Sequence, residues 1–467
     1  MSASPRPLLP STETSLRRQV DQAQRDWRAP SVCAAVIRDG HRLLDHVAGW
    51  GGPDAPAPSA PTSDIAAGDV QYRIGSITKT FTAVLILALR DEGRLTLDDP
   101  LGRHVPGGKH GGLTIRQLLT HLSGIQREPV GDVWWTLQTP DHPDFLAGLE
   151  LAEAVLPPQR QLHYSNVAYA ILGEVVARLD GRSWAESLSQ RILQPLGLSR
   201  TTLDPATPHA RGWFVDPYAD RLLAEPDFPT RALAPAMQLW STATDLTRWA
   251  AFIADPVAEV LAPATVDEMC HPQVMWDIDA WNLAWGLGFM LLRQGDRILV
   301  GHEGAMPGFL AGCYTRRSDS VGAVAFANCT SGADPGGLAA GLITTLLEAE
   351  PTPVRPWRPG AEVDPNARPL LGRWWSEGSE FVFGWTDGAL TASIAGAPHR
   401  PPAVFVAAGP DEWRVASGRE AGERLRVVRD ESGAVVRLHW ATYAFTRDPR
   451  VFGATDPASA PYDGPDV

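Results

Sequence analysis

The chain has 467 residues, more than one ordinary domain holds, and this length predicts two domains. Hydrophobic residues make up 44% and charged residues 20%, a balance typical of globular proteins. The net charge is −13, and such an acidic surface disfavours both nucleic acid and anionic membranes as partners. We see no apolar stretch near the roughly 20 residues of a membrane span and no apolar signal-peptide core. We therefore expect a cytoplasmic protein.

The first 350 residues show helical patterns in the middle and strand patterns at both ends. Helices are predicted over 13–27, 76–93, 115–122, 143–156, 166–179, 184–193, 244–254 and 336–348. Strands are predicted over 32–38, 42–49, 286–293, 297–302, 309–316 and 320–328, and a Pro- and Ala-rich loop over 53–68. The Asp39-Gly40 pair indicates a hairpin between the first two strands. We predict an α+β domain, 1–350, whose sheet is assembled from both ends.

The rest of the chain has a different pattern. Prolines recur across 351–368, which predicts a stiff and extended linker. From 369 to 450, short strands alternate with turn signals, a pattern typical of a small β-barrel or sandwich. The predicted strands are 372–375, 381–385, 389–393, 403–407, 413–416, 425–429 and 435–441. The tail, 451–467, is rich in Pro, Ala and Asp, and we expect it to be disordered.

The main chemical signal is Ser76-Ile77-Thr78-Lys79, at the start of the long apolar helix. A serine hydroxyl is a poor nucleophile until a base removes its proton, and a lysine three residues on shares its helical face. Lysine can be that base if burial lowers its pKa, whereas arginine never deprotonates. The chain has only two lysines, Lys79 and Lys109, and all its other Lys+Arg residues are arginine. A lysine at position 79 therefore indicates a chemical role. Taken alone, Ser-x-x-Lys also occurs by chance.

Tyr164-Ser165-Asn166 opens a predicted helix and allows two interpretations. The Tyr164 phenol could relay a proton while the Asn166 amide binds substrate and holds the lysine. Ser165 or Asn166 could instead be an ordinary helix cap. The motif by itself favours the cap.

His302-Glu303-Gly304 ends a predicted strand. A histidine there could face the same cleft, and the glycine would let a substrate backbone approach closely. A structural histidine is the alternative. A zinc helix is excluded, because H-E-x-x-H requires a second histidine where Met306 stands.

Together these motifs resemble the serine β-lactamase/penicillin-binding-protein superfamily, in order and in distance. His302-x-Gly304 in place of Lys-Thr-Gly is similar to the class C-like serine hydrolases and esterases. Supporting motifs lie at 97–100, 119–124 and 239–242. The resemblance spans about 30–348 and implies an antiparallel sheet flanked by helices, plus an all-helical subdomain. The C-terminal strands resemble the lipocalin-like barrel often appended to such enzymes.

The resemblance implies a role for each motif residue. Ser76 is the acylated nucleophile and Lys79 its base. Tyr164 relays the proton, and Asn166 orients the substrate.

The remaining implied roles belong to the strand motif and to the main chain. The backbone N–H groups of Ser76 and Ala305 form the oxyanion hole, next to Gly304. His302 supports the substrate or the tyrosine. One departure is Met237-Gln238, where the family often has Gly-Gly, and it predicts a reshaped cleft.

Two further side chains are weaker candidates. Trp240 would supply apolar surface for a hydrophobic peptide, although core packing is the better interpretation for most tryptophans. Arg447, late in the barrel, would bind a carboxylate or an acidic group of a carrier protein if it reached the cleft. An ordinary surface arginine is the alternative.

The resemblance also bears on the reaction. Cell-wall peptidases and secreted β-lactamases of the superfamily need a leader or anchor, and we find neither signal. A cytoplasmic member with a lipocalin-like domain resembles the penicillin-binding-protein-type thioesterases. These transfer a peptide from a carrier-protein thioester to serine and release it as a head-to-tail cyclic peptide, with a preference for a D-residue at the acyl end.

We therefore predict a trans-acting peptide cyclase that uses no metal or cofactor. Its partner would be a peptidyl carrier-protein thioester or a small peptide or ester substrate. One alternative is a class C-like esterase, a D-specific amidohydrolase or a D-aminopeptidase. The other is a non-catalytic β-lactam sensor that stays acylated.

Overall fold

A computed structural model describes residues 7–49, 69–105, 108–330, 332–352, 356–360, 362–376 and 378–450. The chain divides into two units, Met1–Thr352 and Pro353–Val467, and the boundary falls within the predicted Pro-rich linker. The loop predicted at 53–68 and the tail predicted at 451–467 lie outside the described residues. None of the helices in the described ranges has the length and apolar character that crossing a bilayer requires.

The first unit is organised around one antiparallel sheet. Its strands, and those of two small ribbons, are β1 (Ser31–Arg38), β2 (His41–Gly49), β3 (Tyr72–Arg73), β4 (Trp213–Val215), β5 (Leu222–Ala224), β6 (Trp240–Ser241), β7 (Val274–Met275), β8 (Leu283–Trp285), β9 (Met290–Gln294), β10 (Arg297–Met306), β11 (Phe309–Arg316) and β12 (Val321–Ala327). The sheet order is β2-β1-β12-β11-β10-β9-β8-β7. Ala34 of β1 lies opposite Ala325 of β12. The prediction that the sheet is assembled from both ends of the first domain is therefore confirmed.

Helices cover both faces of this sheet. They are α1 (Pro10–Trp27), α2 (Thr78–Asp91), α3 (Ile115–Leu119), α4 (Val133–Thr136), α5 (His142–Gly148), α6 (Asn166–Asp180), α7 (Trp184–Leu188), α8 (Ala234–Met237), α9 (Ala243–Ala254), α10 (Pro263–Met269) and α11 (Pro335–Ala349). Side chains alternate along β1, so Ala34 and Val36 pack against α1 and α11, while Ala35 and Ile37 join the core with α2, α6 and α9. Burial on both faces explains why β1 is continuously apolar.

Helix α2 lies at the centre of the helical part of this unit. Nearly every side chain from Thr78 to Leu89 is buried, as expected of a helix that is apolar all round. The hydroxyls on it are satisfied locally: Thr80 donates to Ile77 O and Thr82 to Pro235 O. A polar residue placed on this helix is therefore removed from water by the packing around it.

Two helix predictions differ from the structure. The helix predicted over 143–156 ends at Gly148, and further along the chain Ala154 forms a bridge with Ile125 instead of continuing the helix. The helix predicted over 184–193 is α7 followed by a π-helical turn, Ser189–Leu193.

The second unit is an eight-stranded antiparallel meander. Its strands are β13 (Gly372–Ser376), β14 (Ser379–Thr386), β15 (Ala389–Ile394), β16 (Ala403–Gly409), β17 (Glu412–Ser417), β18 (Arg424–Arg429), β19 (Val435–Trp440) and β20 (Tyr443–Phe445). A bridge between Trp375 and Thr446 nearly closes the sheet into a barrel around Trp374, Trp413 and Trp440. The barrel prediction is confirmed, although the pattern missed β20, which is only three residues long.

We expect Trp249→Ala to destabilise the first unit strongly. Trp249 is fully buried, its ring centroid lies 3.9 Å from that of Phe81, and its Nε1 donates to Thr80 Oγ1. Removing the indole leaves a cavity, which costs about 3–5 kcal/mol of unfolding free energy. Chemical denaturation measures it. Tyr218→Ala, at a side chain that is 96% exposed, should cost less than about 0.5 kcal/mol, and a similar cost for both variants would contradict the packing described.

Candidate active site

Two glycines bring the sheet against the turn that carries Ser76. Ser76 lies in a 3₁₀ turn, Gly75–Ile77, directly before α2. A Cβ on Gly304 of β10 would lie 1.9 Å from Ile74 O, and one on Gly75 would lie 2.6 Å from Ala305 N. Gly75 also has φ +49°, a conformation that glycine adopts readily. The main chains of Ser76 and Ala305 are therefore neighbours because no side chain separates them.

Lys79 is fully buried one turn after Ser76. Its Nζ lies 3.0 Å from Ser76 Oγ, 2.7 Å from Asn166 Oδ1 and 3.0 Å from Ala236 O. Burial lowers the pKa of Lys79 well below its ordinary value, an effect that the Glu128 carboxylate opposes. A neutral amine has two N–H groups, which the two carbonyl oxygens accept. Its lone pair is then left to accept the proton of the Ser76 hydroxyl.

Asn166, the first residue of α6, connects this lysine to a carboxylate. Its Oδ1 accepts from Lys79, and its Nδ2 donates to Glu128 Oε1 at 2.7 Å. Ser165 caps the helix, because its side chain accepts from Ala168 N. The alternative of Asn166 as a simple cap is therefore removed, and its amide is committed to Lys79.

Tyr164 is placed above the same amine. Lys79 Nζ lies 4.7 Å from the Tyr164 ring centroid, and the Arg127 guanidinium carbon lies 5.1 Å from it. Burial raises the pKa of the Tyr164 phenol, and its hydrogen bonding with Ser76 opposes that rise. The phenol is therefore protonated at neutral pH and within reach of Ser76, so it can donate its proton.

His302 faces this group from β10. Its Nδ1 shares a hydrogen bond with the Glu303 carbonyl oxygen, which fixes the proton on Nδ1 and leaves Nε2 as an acceptor. Burial lowers the pKa of His302 to about 3, so the ring is neutral. Its centroid lies 6.3 Å from that of Tyr164 and 5.7 Å from that of Trp285.

These groups open onto a cavity of about 880 Å³. Its lining includes Ser76, Tyr164, Asn166, His302, Gly304 and Ala305. Charged side chains contribute to it as well, and a large apolar share comes from Trp134, Trp135, Met237, Trp276, Trp285, Met290 and Met306. Met237, from the departure noted in the sequence, thus borders the cleft, whereas Gln238 is occupied with Thr230. Within the described part of the chain, no group of three His, Cys, Asp or Glu side chains could hold a metal ion.

The two weaker candidates make packing contacts within their own units. Trp240 is 2% exposed, packs edge-on against Phe309, and is absent from the cavity lining. Arg447 lies 3.8 Å over the Trp374 ring of the barrel and donates to the carbonyl oxygens of Pro369, Leu371 and Arg373. These contacts give both side chains a packing role, and their predicted roles toward a substrate stay predictions.

Sequence reasoning missed Glu128 and Arg127 at this site. Glu128 follows the 119–124 motif by four residues, and an Arg-Glu pair has no spacing that distinguishes it from a solvated surface pair. Only the fold brings its carboxylate to the Asn166 amide.

Comparison with known proteins gives two family matches. The model described as Beta-lactamase matches residues 16–347, and a domain of unknown function, DUF7586, matches residues 363–447. Penicillin-binding protein 4 of Amycolatopsis lactamdurans is 30% identical over 405 residues, covering 79% of this chain and 99% of that protein.

Two solved structures share the fold. The D-stereospecific amidohydrolase from Streptomyces sp. is 24% identical with a TM-score of 0.60, covering 72% of this chain and 98% of that one. SurE is 23% identical with a TM-score of 0.59, covering 94% of this chain and 99% of that one. The match to SurE therefore extends over most of this chain's length.

We expect Lys79→Met to change the pH dependence of stability. Below about pH 10.4 the unfolded lysine binds a proton that the buried amine, with its lowered pKa, does not bind. Wild-type stability therefore rises with pH between that lowered pKa and about 10.4, relative to the variant, by up to about 1.4 kcal/mol per pH unit. Denaturation at pH 8, 9 and 10 measures this slope.

Lys109→Met is the matched control, because Lys109 is the other lysine of the chain and is exposed. The unfolding free energy of Lys109→Met should change with pH in parallel with that of the wild type over the same range. If the unfolding free energy of Lys79→Met also changed in parallel with that of the wild type, the Lys79 amine would not be held uncharged.

Proposed function

The chain belongs to the β-lactamase family, and from that premise we propose that it is a serine acyltransferase whose acyl-enzyme forms on Ser76. The family makes it a serine hydrolase or acyltransferase in the broad sense. The observation that carries the proposal is the buried Lys79 amine, 3.0 Å from the Ser76 hydroxyl and with both N–H groups accepted by carbonyl oxygens.

In the first half-reaction, Ser76 Oγ attacks the acyl carbonyl while Lys79 takes the hydroxyl proton. The Oγ–C bond forms and the bond to the leaving group breaks. Tyr164 gives its phenol proton to the leaving group and takes back the proton held by Lys79, which returns to the neutral amine. The negative charge on the carbonyl oxygen is stabilised by the N–H groups of Ser76 and Ala305. The glycine contact between the 3₁₀ turn and β10 supports this oxyanion hole, because it sets those two main-chain segments side by side.

In the second half-reaction, a nucleophile attacks the same carbonyl from the side that the leaving group vacated. Its proton passes through Tyr164, the Oγ–C bond breaks, and the hydroxyl of Ser76 is restored. Asn166 holds Lys79 through its Oδ1, and its Nδ2, which gives one proton to Glu128, has a second proton to donate to the acyl amide. Neutral His302 supports the phenol. Water gives an acid, and the amine at the far end of the same peptide gives a macrolactam.

We propose the second outcome, a trans-acting cyclase that takes a peptide with a D-residue at its acyl end from a carrier-protein thioester. A cavity of about 880 Å³ with several Trp and Met side chains in its lining suits a folded peptide, since sites of 300–1,000 Å³ enclose drug-sized ligands. Two structures similar to this chain support the D-configuration. One is a D-stereospecific amidohydrolase, and the other is SurE solved with D-Leu, which covers 94% of this chain.

Hydrolysis is the competing outcome, because it uses the same acyl-enzyme. The amidohydrolase match favours it, although that match covers less of the chain than SurE does. A sensor that stays acylated is the third outcome. It is disfavoured because a sensor does not need Tyr164 to deliver a proton for deacylation.

We expect Ser76→Ala to abolish acylation and to leave the fold unchanged. Intact-protein mass spectrometry after exposure to an activated D-acyl ester should find one adduct on the wild type and none on the variant. Lys79→Arg should acylate almost as slowly as Lys79→Ala, roughly 10²–10⁴-fold below wild type, because arginine keeps the charge but cannot accept the proton. Rescue by arginine would mean that Lys79 acts only as a fixed charge.

A D-configured peptidyl thioester distinguishes the three outcomes. With a free N-terminal amine, the cyclase should give mainly a cyclic product that is lighter than the acid by one water. The same peptide with an acetylated N-terminus cannot cyclise and is the control. Only acid from both substrates would identify a hydrolase, and a stoichiometric burst without turnover would identify a sensor.

A further inference from the structure

His121 accepts hydrogen bonds from the residues directly before and directly after Tyr164. The His163 N–H donates to His121 O at 2.8 Å, and the Ser165 N–H donates to His121 Nδ1 at 3.1 Å. Between these two bonds, the His121 ring stacks on the Tyr164 ring with centroids 4.3 Å apart. One residue therefore holds the main chain before and after the phenol and one face of the phenol itself.

The bond from Ser165 determines the tautomer of His121. An N–H donor requires Nδ1 to be an unprotonated acceptor, so the ring proton lies on Nε2. The charged ring would lose this bond and would face Lys79, Arg127 and the nearby His302 and His163, within a fully buried site. Burial and these neighbours hold the pKa of His121 well below its ordinary value. His121 is therefore a neutral acceptor throughout the working pH range.

The backbone of His121 is also unusual. Its φ is +58°, in the left-handed region, where histidine and asparagine are more frequent than other non-glycine residues. Its ring also packs at 5.1 Å from Tyr169 and 5.4 Å from Trp285, so it cannot rotate away from Tyr164 without displacing either. In this conformation the carbonyl group and the ring of His121 both contact residues 163–165.

We propose that His121 is a positioning residue for proton transfer, and that it fixes the Tyr164 phenol against Ser76 by clamping residues 163–165. The inference rests on the proposed function, because it concerns the phenol that relays the proton. It assigns the 119–124 motif a part in the reaction rather than in the fold alone. A displacement of about 1 Å in a reacting group can cost about 10²-fold in rate.

Three variants separate the parts of the clamp. His121→Asn keeps a side-chain acceptor near the Nδ1 position and tolerates the left-handed backbone, but it loses the ring. His121→Phe keeps the ring and loses the acceptor, and His121→Ala loses both. We expect the acylation rate at saturating activated ester to fall roughly 10-fold for each of the first two and roughly 100-fold for alanine, with little change in the half-saturating concentration.

A double-variant cycle shows whether His121 acts through Tyr164. Tyr164→Phe removes the relay, so adding His121→Ala to it should cause little further loss of rate. If the two losses multiply instead, or if His121→Ala acylates Ser76 as fast as wild type, the inference is overturned.

His110→Asn controls for stability. His110 is a buried histidine, 7% exposed, whose Nε2 contacts the Ala152 carbonyl oxygen outside the cavity lining. It should lower the melting temperature and leave the acylation rate of the folded protein unchanged. If the acylation rates of His121→Ala and His110→Asn both fell in proportion to their loss of melting temperature, the inference would be overturned. Absence of any adduct on the wild type would instead overturn the proposed function, and this inference with it.

Discussion

The structure depends on one amine that is held out of water. Lys79 is buried, and the three groups that its Nζ contacts are a hydroxyl, an amide oxygen and a main-chain carbonyl oxygen. None of the three is a carboxylate. Such neutral partners satisfy an uncharged amine but would leave an ammonium poorly compensated. The same set of contacts therefore disfavours the charged form and directs the lone pair at Ser76. Central placement of α2 makes this arrangement possible, because the packing around the helix leaves Lys79 no exposed surface while Ser76 borders the cavity.

A second constraint is the close approach of two main-chain segments. Strand β10, which borders the candidate site, touches the turn before α2 at two glycines, where any side chain would force the elements apart. Ser76 and Ala305 come from opposite ends of the unit, so the site can exist only when the sheet has been assembled. Neither the helix nor the strand alone therefore carries the proposed oxyanion hole.

The motif residues could be singled out because each stands at a recognisable place in an element, whereas their predicted roles came from the resemblance of the motifs taken together. Ser76 and Lys79 share a helical face, Tyr164 and Asn166 flank a helix start, and His302 ends a strand. The large elements were predictable too, because their apolar periodicity is strong over many residues. Short elements such as β20 and β3 were not, since two or three residues carry no periodicity and form only because a neighbouring strand offers hydrogen bonds.

The pattern along the chain was enough to predict a second, all-strand unit and a sheet built from both ends of the first unit, and the resemblance of the motifs predicted Ser76 as the nucleophile and Lys79 as its base. Tertiary structure alone decided that Glu128 meets the Asn166 amide, that His121 meets the Tyr164 ring and that Trp240 is packed away from the cavity. The reason is that these contacts join residues whose separation in sequence has no fixed relation to their distance in space. Periodicity and spacing report on one element at a time, whereas burial and side-chain contacts depend on how all the elements pack.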